Sequence, residues 1–318
     1  MTTYLAEVNE LTLRDLEREL NAAGASAKTV EAYRQGLLSL EKYLRGHDAS
    51  HGRTGYPECC KETKARDLLK VTKAEIGDWL IALRGTHAKD SICSYFSSVR
   101  RFYSYAAAEE LIGRSPMANM KKPPASDKPI PIPAVDDIRA LLETCKGKDF
   151  DGLRDTAIIR LFCETGGPRC SEVALLPLEH VDMRSDFVRI NGKGGKWRGI
   201  PMSARTAKAM SRYLRARADH PKAEDSEMAF LGLKGSMTRS GVYQMIQRRC
   251  EQAGVAAIHP HMFRHFETHQ AKRAGMSDSD LMRLNGWSTR AMLDRYGAAA
   301  ADERAAMASR RLALGNQL

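Results

Sequence analysis

The chain has 318 residues, 43% of them apolar, which is enough for two domains of ordinary size, each with its own core. Fifty Lys and Arg against 39 Asp and Glu leave a formal charge of +11 at pH 7, which favours a polyanionic partner such as nucleic acid or an acidic membrane surface. No uninterrupted apolar run approaches the roughly 20 residues of a membrane-spanning helix, and the opening MTTYLAEVNELTLRDLE carries acids where a signal peptide would be apolar, so an intracellular protein is expected.

From Ser26, the stretch SAKTVEAYRQGLLSLEKYL sets Val30, Tyr33, Leu37, Leu40 and Leu44 at three- and four-residue steps, the apolar stripe of an amphipathic helix. Between His47 and Lys64 the periodicity lapses into a Gly-rich polar segment, read as an exposed loop. It carries Cys59 and Cys60, with His51 nearby, but no second ligand pair completes a tetrahedral metal set. The seven cysteines are odd in number and scattered without a C-x-x-C pair, as expected of reduced thiols. Helical patterning returns in VTKAEIGDWLIALR and in SICSYFSSVRRFYSYAAAEEL. The latter interleaves Tyr95, Phe96, Phe102, Tyr103 and Tyr105 with Arg100 and Arg101. Two readings stay open for it: a basic helix lying on DNA phosphates, or core aromatics with a solvated arginine face.

The segment MKKPPASDKPIPIP, residues 120–133, holds five prolines without apolar periodicity and reads as an extended linker between two domains. A new helix follows in PAVDDIRALLETC, with acids in its first turn where the helix dipole favours them. LRDTAIIRLFCETG is another helix ending in glycines, and DFVRINGKGGKWRGIPM reads as two short strands around a Gly-rich turn. Further helical segments start near Thr206, Ser240, His261, Ser277 and Thr289. The sum is a mainly α chain with one small β-hairpin and no internal repeat.

Three clusters carry chemistry. GGPRCSE puts Arg169 just after a glycine turn at a helix start, where backbone N–H groups and a guanidinium can converge on an anion. HMFRH at 261–265 groups bases at a helix start, and GWSTRAMLDRYG sets Tyr296 nine residues past Trp287. Singly, each has a structural alternative: His261 as a surface residue, Trp287 as core, Tyr296 as a half-buried tyrosine, and Lys193 in NGKGGKWR as a basic turn.

Together and in order, these residues resemble the tyrosine recombinase (phage integrase) family. Its catalytic half runs Arg, a hairpin Lys, His-x-x-Arg, His or Trp, then Tyr. The matching positions are Arg169, Lys193, His261, Arg264, Trp287 and Tyr296, with Glu172 where the family has a bracing acid. Two positions depart from the pattern. Thr165-Gly166-Gly167-Pro168-Arg169 stands where Thr-Gly-Leu-Arg is usual, and Trp287 where His is commoner, although an indole N–H can still donate. His259, His265 and His269 receive no role from the pattern.

The resemblance implies a mainly α architecture in two domains. A helical, SAM-like core DNA-binding domain is expected over 1–122, a linker over 123–133, and a mixed α/β catalytic domain over 134–318. It implies site-specific DNA recombination through a 3′-phosphotyrosine, either integration and excision or resolution. Arg169 and Arg264 would hold the phosphate, Lys193 would be the general acid, His261 an acid–base partner, Trp287 a hydrogen-bond donor and Tyr296 the nucleophile. No cofactor and no metal is expected, since no carboxylate cluster suggests magnesium. The expected partners are double-stranded DNA sites, three further copies in a tetramer on DNA, and a DNA-bending accessory protein; the expected location is cytoplasmic, on the nucleoid. Met307, Leu312 and Leu314 in the last helix would dock on a neighbouring copy. A non-catalytic DNA-binding protein of the same fold and a type IB topoisomerase are the rival readings. Within the recombinases, a mobile-element or phage integrase is favoured over a housekeeping resolvase.

Overall fold

The structure, a computed structural model, describes residues 7–45, 66–126, 130–192, 195–297, 301–313 and 316. The chain separates into two compact units, Met1–Lys128 and Pro129–Leu318.

The first unit contains α1 (Glu7–Ala22), α2 (Ala27–Leu44), α3 (Lys73–Arg84) and α4 (Lys89–Ala108). Local chemistry sets the helix starts. Ser26 caps α2 by accepting from the Thr29 N–H, and Thr72 and Glu75 form a reciprocal capping box on α3. The sequence stripe had marked α2, α3 and α4 but not α1, whose Leu13, Leu16 and Leu20 are buried. Asn9 pins α1 in place: its amide donates to Glu41 Oε1 and Arg66 O, both at 3.0 Å, and accepts from the Leu68 N–H at 2.9 Å.

On α4 the two open readings separate. Phe96, Phe102, Tyr103 and Tyr105 lie in the core, and Tyr103 donates its hydroxyl proton to Leu68 O at 2.8 Å. Arg100 lies over the Phe96 ring and donates to Met120 O, while Arg101 pairs with Glu19. The aromatics are therefore packing, and both arginines are engaged within their own unit. The Cys59–Cys60 loop with His51 lies outside the described residues, as do parts of the proline-rich segment.

The second unit runs α5 (Val135–Thr144), α6 (Phe150–Cys163), α7 (Cys170–Ala174), β1 (Val181–Asp182), β2 (Phe187–Asn191), β3 (Trp197–Pro201), α8 (Ala204–Ala218), β4 (Leu231–Gly232), β5 (Gly235–Ser236), α9 (Arg239–Ala253), α10 (Pro260–Arg273), α11 (Asp278–Asn285), α12 (Arg290–Gly297) and α13 (Ala301–Leu312). In place of the single hairpin expected, β1, β2 and β3 form a three-stranded antiparallel sheet, and β4 and β5 form a separate ribbon. The strands missed, β1, β4 and β5, are two residues long, too short to show any alternation. In the main sheet Val188 faces Ile200 and Ile190 faces Arg198; Val188, Ile190 and Ile200 enter the core.

Buried polar groups fix how the helices meet. Asp155 on α6 is fully buried and takes two guanidiniums: Arg154 donates to Oδ1 at 2.7 and 2.9 Å, and Arg249 of α9 to Oδ2 at 2.9 Å. The same Arg249 donates to Thr144 O at the end of α5, and Arg154 to Leu231 O of β4. One carboxylate thus ties four elements. Removing it leaves Arg249 without its carboxylate and Arg154 with Asp151 alone, a change that costs roughly 3–5 kcal/mol. Asp155→Ala is expected to lower the urea midpoint of the second unit accordingly, followed by near-ultraviolet circular dichroism; a loss under about 1 kcal/mol would contradict that role.

Candidate active site

Five of the six residues singled out from the sequence are described, and four of them meet around α10 and α12. α10 begins with Pro260 at its first turn, where a missing N–H costs nothing. Phe263 points into the core and stacks on Phe162 of α6, rings 5.5 Å apart, which fixes the rotation of α10. His261, Arg264 and His265, three and four residues apart, then share another face. That face meets Tyr296 of α12. The Tyr296 ring is stacked on Trp287 at 4.8 Å, tilted against His265 at 4.5 Å and edge-on to His261 at 5.2 Å. Arg264 completes the group, its guanidinium carbon 5.4 Å from the Trp287 ring centre and 5.8 Å from that of Tyr296.

Arg264 is almost fully buried. Nη1 donates to Gly167 O at 2.6 Å and Nη2 to Asn285 O at 2.7 Å, so each terminal nitrogen keeps a second N–H. Burial, reinforced by the charges of Arg169 and Arg198, pushes its pKa down to about 10, which still leaves it cationic near neutrality. The influence of those charges places three guanidiniums in one electrostatic neighbourhood, as an anion site requires.

Arg169 stands at the N-terminus of α7, where its Nη1 donates to Glu172 Oε1 at 2.8 Å and its backbone N–H to Oε2 at 2.6 Å. The preceding turn depends on Gly166, whose φ of +80° suits glycine and where a Cβ would lie 2.6 Å from Leu284 O. The unusual Gly-Gly-Pro spelling therefore still delivers Arg169 beside its acid. Arg169, Lys196, Arg283 and Trp287 line a cleft of about 240 Å³. Tyr296 is not among its lining residues and is only 5% exposed. The indole N–H of Trp287 is buried without a hydrogen-bond partner among the described residues. Lys193 lies outside the described residues, between Gly192 and Gly195 of the hairpin. Among the described residues, no three His, Cys, Asp or Glu side chains are grouped to hold a metal ion.

Two residues of this neighbourhood, Arg198 and Glu267, are not singled out by the sequence, and a third, His265, receives no role from it. Arg198 of β3, disguised as one more charge in a basic turn, is buried against Glu172. His265 packs on Tyr296; its position four residues after His261 was the available signal. Glu267 lies below Arg264, accepting from the Gly166 N–H at 3.4 Å and from Thr268 Oγ1 at 3.1 Å.

Residues 134–303 match the phage integrase family. The tyrosine recombinase XerD of Mycobacterium tuberculosis is 32% identical over 264 residues, covering 77% of this chain and 79% of that one. XerD of Staphylococcus aureus is 30% identical over 250 residues with the same coverage. The chain therefore belongs to the phage integrase family, the tyrosine recombinases. Its fold resembles the Tn1549 transposon integrase in complex with transposon right end DNA (TM-score 0.69, 17% identity, 95% of this chain and 99% of that one). It also resembles the XerH site-specific recombinase in a post-cleavage complex with a palindromic difH substrate (TM-score 0.69, 16% identity, 93% and 84%).

The two buried acids titrate in opposite directions. Burial pushes Glu172 up, but the hydrogen bonds and charge of Arg198, joined by the Arg169 N–H, outweigh it and bring the group to about 2. Its stabilising contribution is complete above about 4.5 and is lost as pH falls toward 2. Burial raises Glu267 from 4.5 to about 7 against the opposing pull of Arg264. The folded state thus keeps a proton that the unfolded chain gives up near 4.5, and stability falls as pH rises between 4.5 and 7. Urea unfolding across that range is expected to be flatter for Glu267→Gln than for wild type; equal slopes would show that Glu267 is ionised throughout.

Proposed function

We propose that this chain is a site-specific DNA recombinase that cuts one strand by attack of Tyr296 on a backbone phosphate and rejoins DNA from the resulting 3′-phosphotyrosine. The observation that carries this reading is the single cluster of Tyr296, His261, Arg264 and Trp287 within a chain of this family.

The chemistry follows from the residue types. A tyrosine oxygen that displaces the 5′ oxygen keeps the phosphate bonded to the protein, so the bond energy is retained and resealing needs no nucleotide cofactor. Attack places extra negative charge on the phosphate. Arg264, with N–H groups left over from its carbonyl contacts, and Arg169, at the edge of the cleft, are the cations that would offset it. The Trp287 N–H, without a partner among the described residues, supplies a further donor. His261, beside the Tyr296 ring, is the acid–base partner for the phenol, and Lys193 on the hairpin is the proton donor to the leaving oxygen. Since Tyr296 is 5% exposed, a phosphate must displace part of its cover before attack.

The helical unit at 1–122 is assigned to clamping DNA, and 134–318 to catalysis. Joining of two sites, rather than relaxation at one, is supported by the recombinases among the relatives. Apart from the partly buried Arg304, α13 is exposed along its described side chains, including Met307 at 42% and Leu312 at 61%, which suits docking on a neighbouring copy in a tetramer on DNA; Leu314 lies outside the described residues.

The test uses nicked suicide duplexes selected for binding from a random-sequence pool, without metal or ATP, on denaturing gels. Wild type is expected to give a protease-sensitive covalent band, and Tyr296→Phe to bind with unchanged affinity and give none. Tight binding by both proteins with no covalent band from either would favour a non-catalytic DNA-binding role.

A further inference from the structure

The geometry points to Arg198 as the positioning residue of the site: it sets Arg169 through the Glu172 carboxylate that both arginines share. This rests on the reading of Arg169 given above.

Arg198 comes from β3 and its side chain is 5% exposed. Its fork meets the Glu172 carboxylate edge-on, Nη1 to Oε1 at 3.1 Å and Nη2 to Oε2 at 2.8 Å. Both oxygens are also taken by Arg169, through Nη1 and the backbone N–H. Each carboxylate oxygen therefore accepts two donors, one from each arginine. A lysine, with one nitrogen, cannot reproduce the planar pairing. Nη2 of Arg198 also leans toward the carbonyls of Gly166 and Gly167, at 3.4 and 3.5 Å, and Gly167 O is the acceptor that holds Arg264.

The surroundings are built to admit this side chain. A Cβ at Gly192, the residue before Lys193, would lie 3.4 Å from Arg198 Nη1, and one at Gly286, the residue before Trp287, 3.2 Å from its Cδ. Arg198 is thereby in contact with the entry to the hairpin, the Arg169 turn and the approach to Trp287. It touches no reacting atom, and its two strongest bonds go to a residue that itself acts only through Arg169. A displacement of about 1 Å in a phosphate-holding guanidinium costs on the order of a hundredfold in rate. Two tethers on one carboxylate hold Arg169 within that tolerance.

The experiment compares wild type, Arg198→Ala, Arg198→Lys, Arg169→Ala and the Arg198→Ala/Arg169→Ala double variant. Cleavage of the nicked duplex is measured at saturating protein, beside DNA affinity and the thermal midpoint. Arg198→Ala is expected to slow cleavage about 10- to 100-fold, with DNA affinity within about threefold of wild type, and Arg198→Lys to recover only part of the rate. In the Arg169→Ala background the further loss should be under about twofold, because the tether no longer has its object. Full and independent losses in the two backgrounds, or an Arg198→Lys rate equal to wild type, would overturn the proposal. Should Arg198→Ala not fold, Glu172→Gln replaces it: rate loss with retained affinity supports the tether, and a wild-type rate overturns it. A wild-type protein that forms no covalent complex, or an Arg169→Ala protein that cleaves normally, would instead bring down the underlying assignment and this inference with it.

Discussion

The candidate site depends on a single buried carboxylate. Glu172 lies among two guanidiniums and a backbone N–H, and without them its charge could not survive where burial alone would push the group upward. Arg169 supplies donors from the start of α7 and Arg198 from the strand that leaves the hairpin, so satisfying one charge aligns these two pieces of chain, and Arg198 Nη2 extends the tie toward the Gly-Gly turn. Arg169 and Arg198 are brought together as a consequence of that electrostatic requirement. A buried ion pair of this kind contributes little net stability over an apolar replacement, so its value lies in geometry.

A second constraint concerns the tyrosine. Tyr296 lies in a short helix, with Trp287 on one face and His265 and His261 around it, and Arg264 reaches the same group from below. Arg264 is held by two carbonyls, one in the turn before Arg169 and one at the end of α11, just before Trp287. A single side chain thereby links the turn before Arg169 to the cluster around Tyr296. The Asp155 network plays the corresponding part in the scaffold, where one acid organises α5, α6, α9 and β4. In both places a carboxylate is matched to more than one arginine, a pattern that a +11 chain can supply readily.

The helices whose apolar stripe recurs at three and four residues were legible from the sequence, because burial of one face is a local property of spacing. α1 carried the same signal in Leu13, Leu16 and Leu20, masked by its density of acids and arginines. The two-residue strands were not legible, since their pairing is decided by partners distant in sequence. Within the candidate site, Arg169, Lys193, His261, Arg264, Trp287 and Tyr296 were singled out through the family resemblance, and the fold groups His261, Arg264, Trp287 and Tyr296. Arg198 could not be singled out, because its partner Glu172 is 26 positions away and only the fold brings them together. The aromatics of α4 show the reverse case: residue types suited to DNA contact are used for packing, and burial alone settles the matter.

The most direct test of the account is to isolate the covalent complex formed on a nicked duplex under denaturing conditions, digest the DNA and the protein, and locate the nucleotide adduct by tandem mass spectrometry. A 3′-phosphate ester is expected on the peptide containing Tyr296, with fragment ions placing it on that tyrosine. An adduct on any other residue would contradict the assignment of the nucleophile and, with it, the mechanistic meaning given to the cluster around α10 and α12.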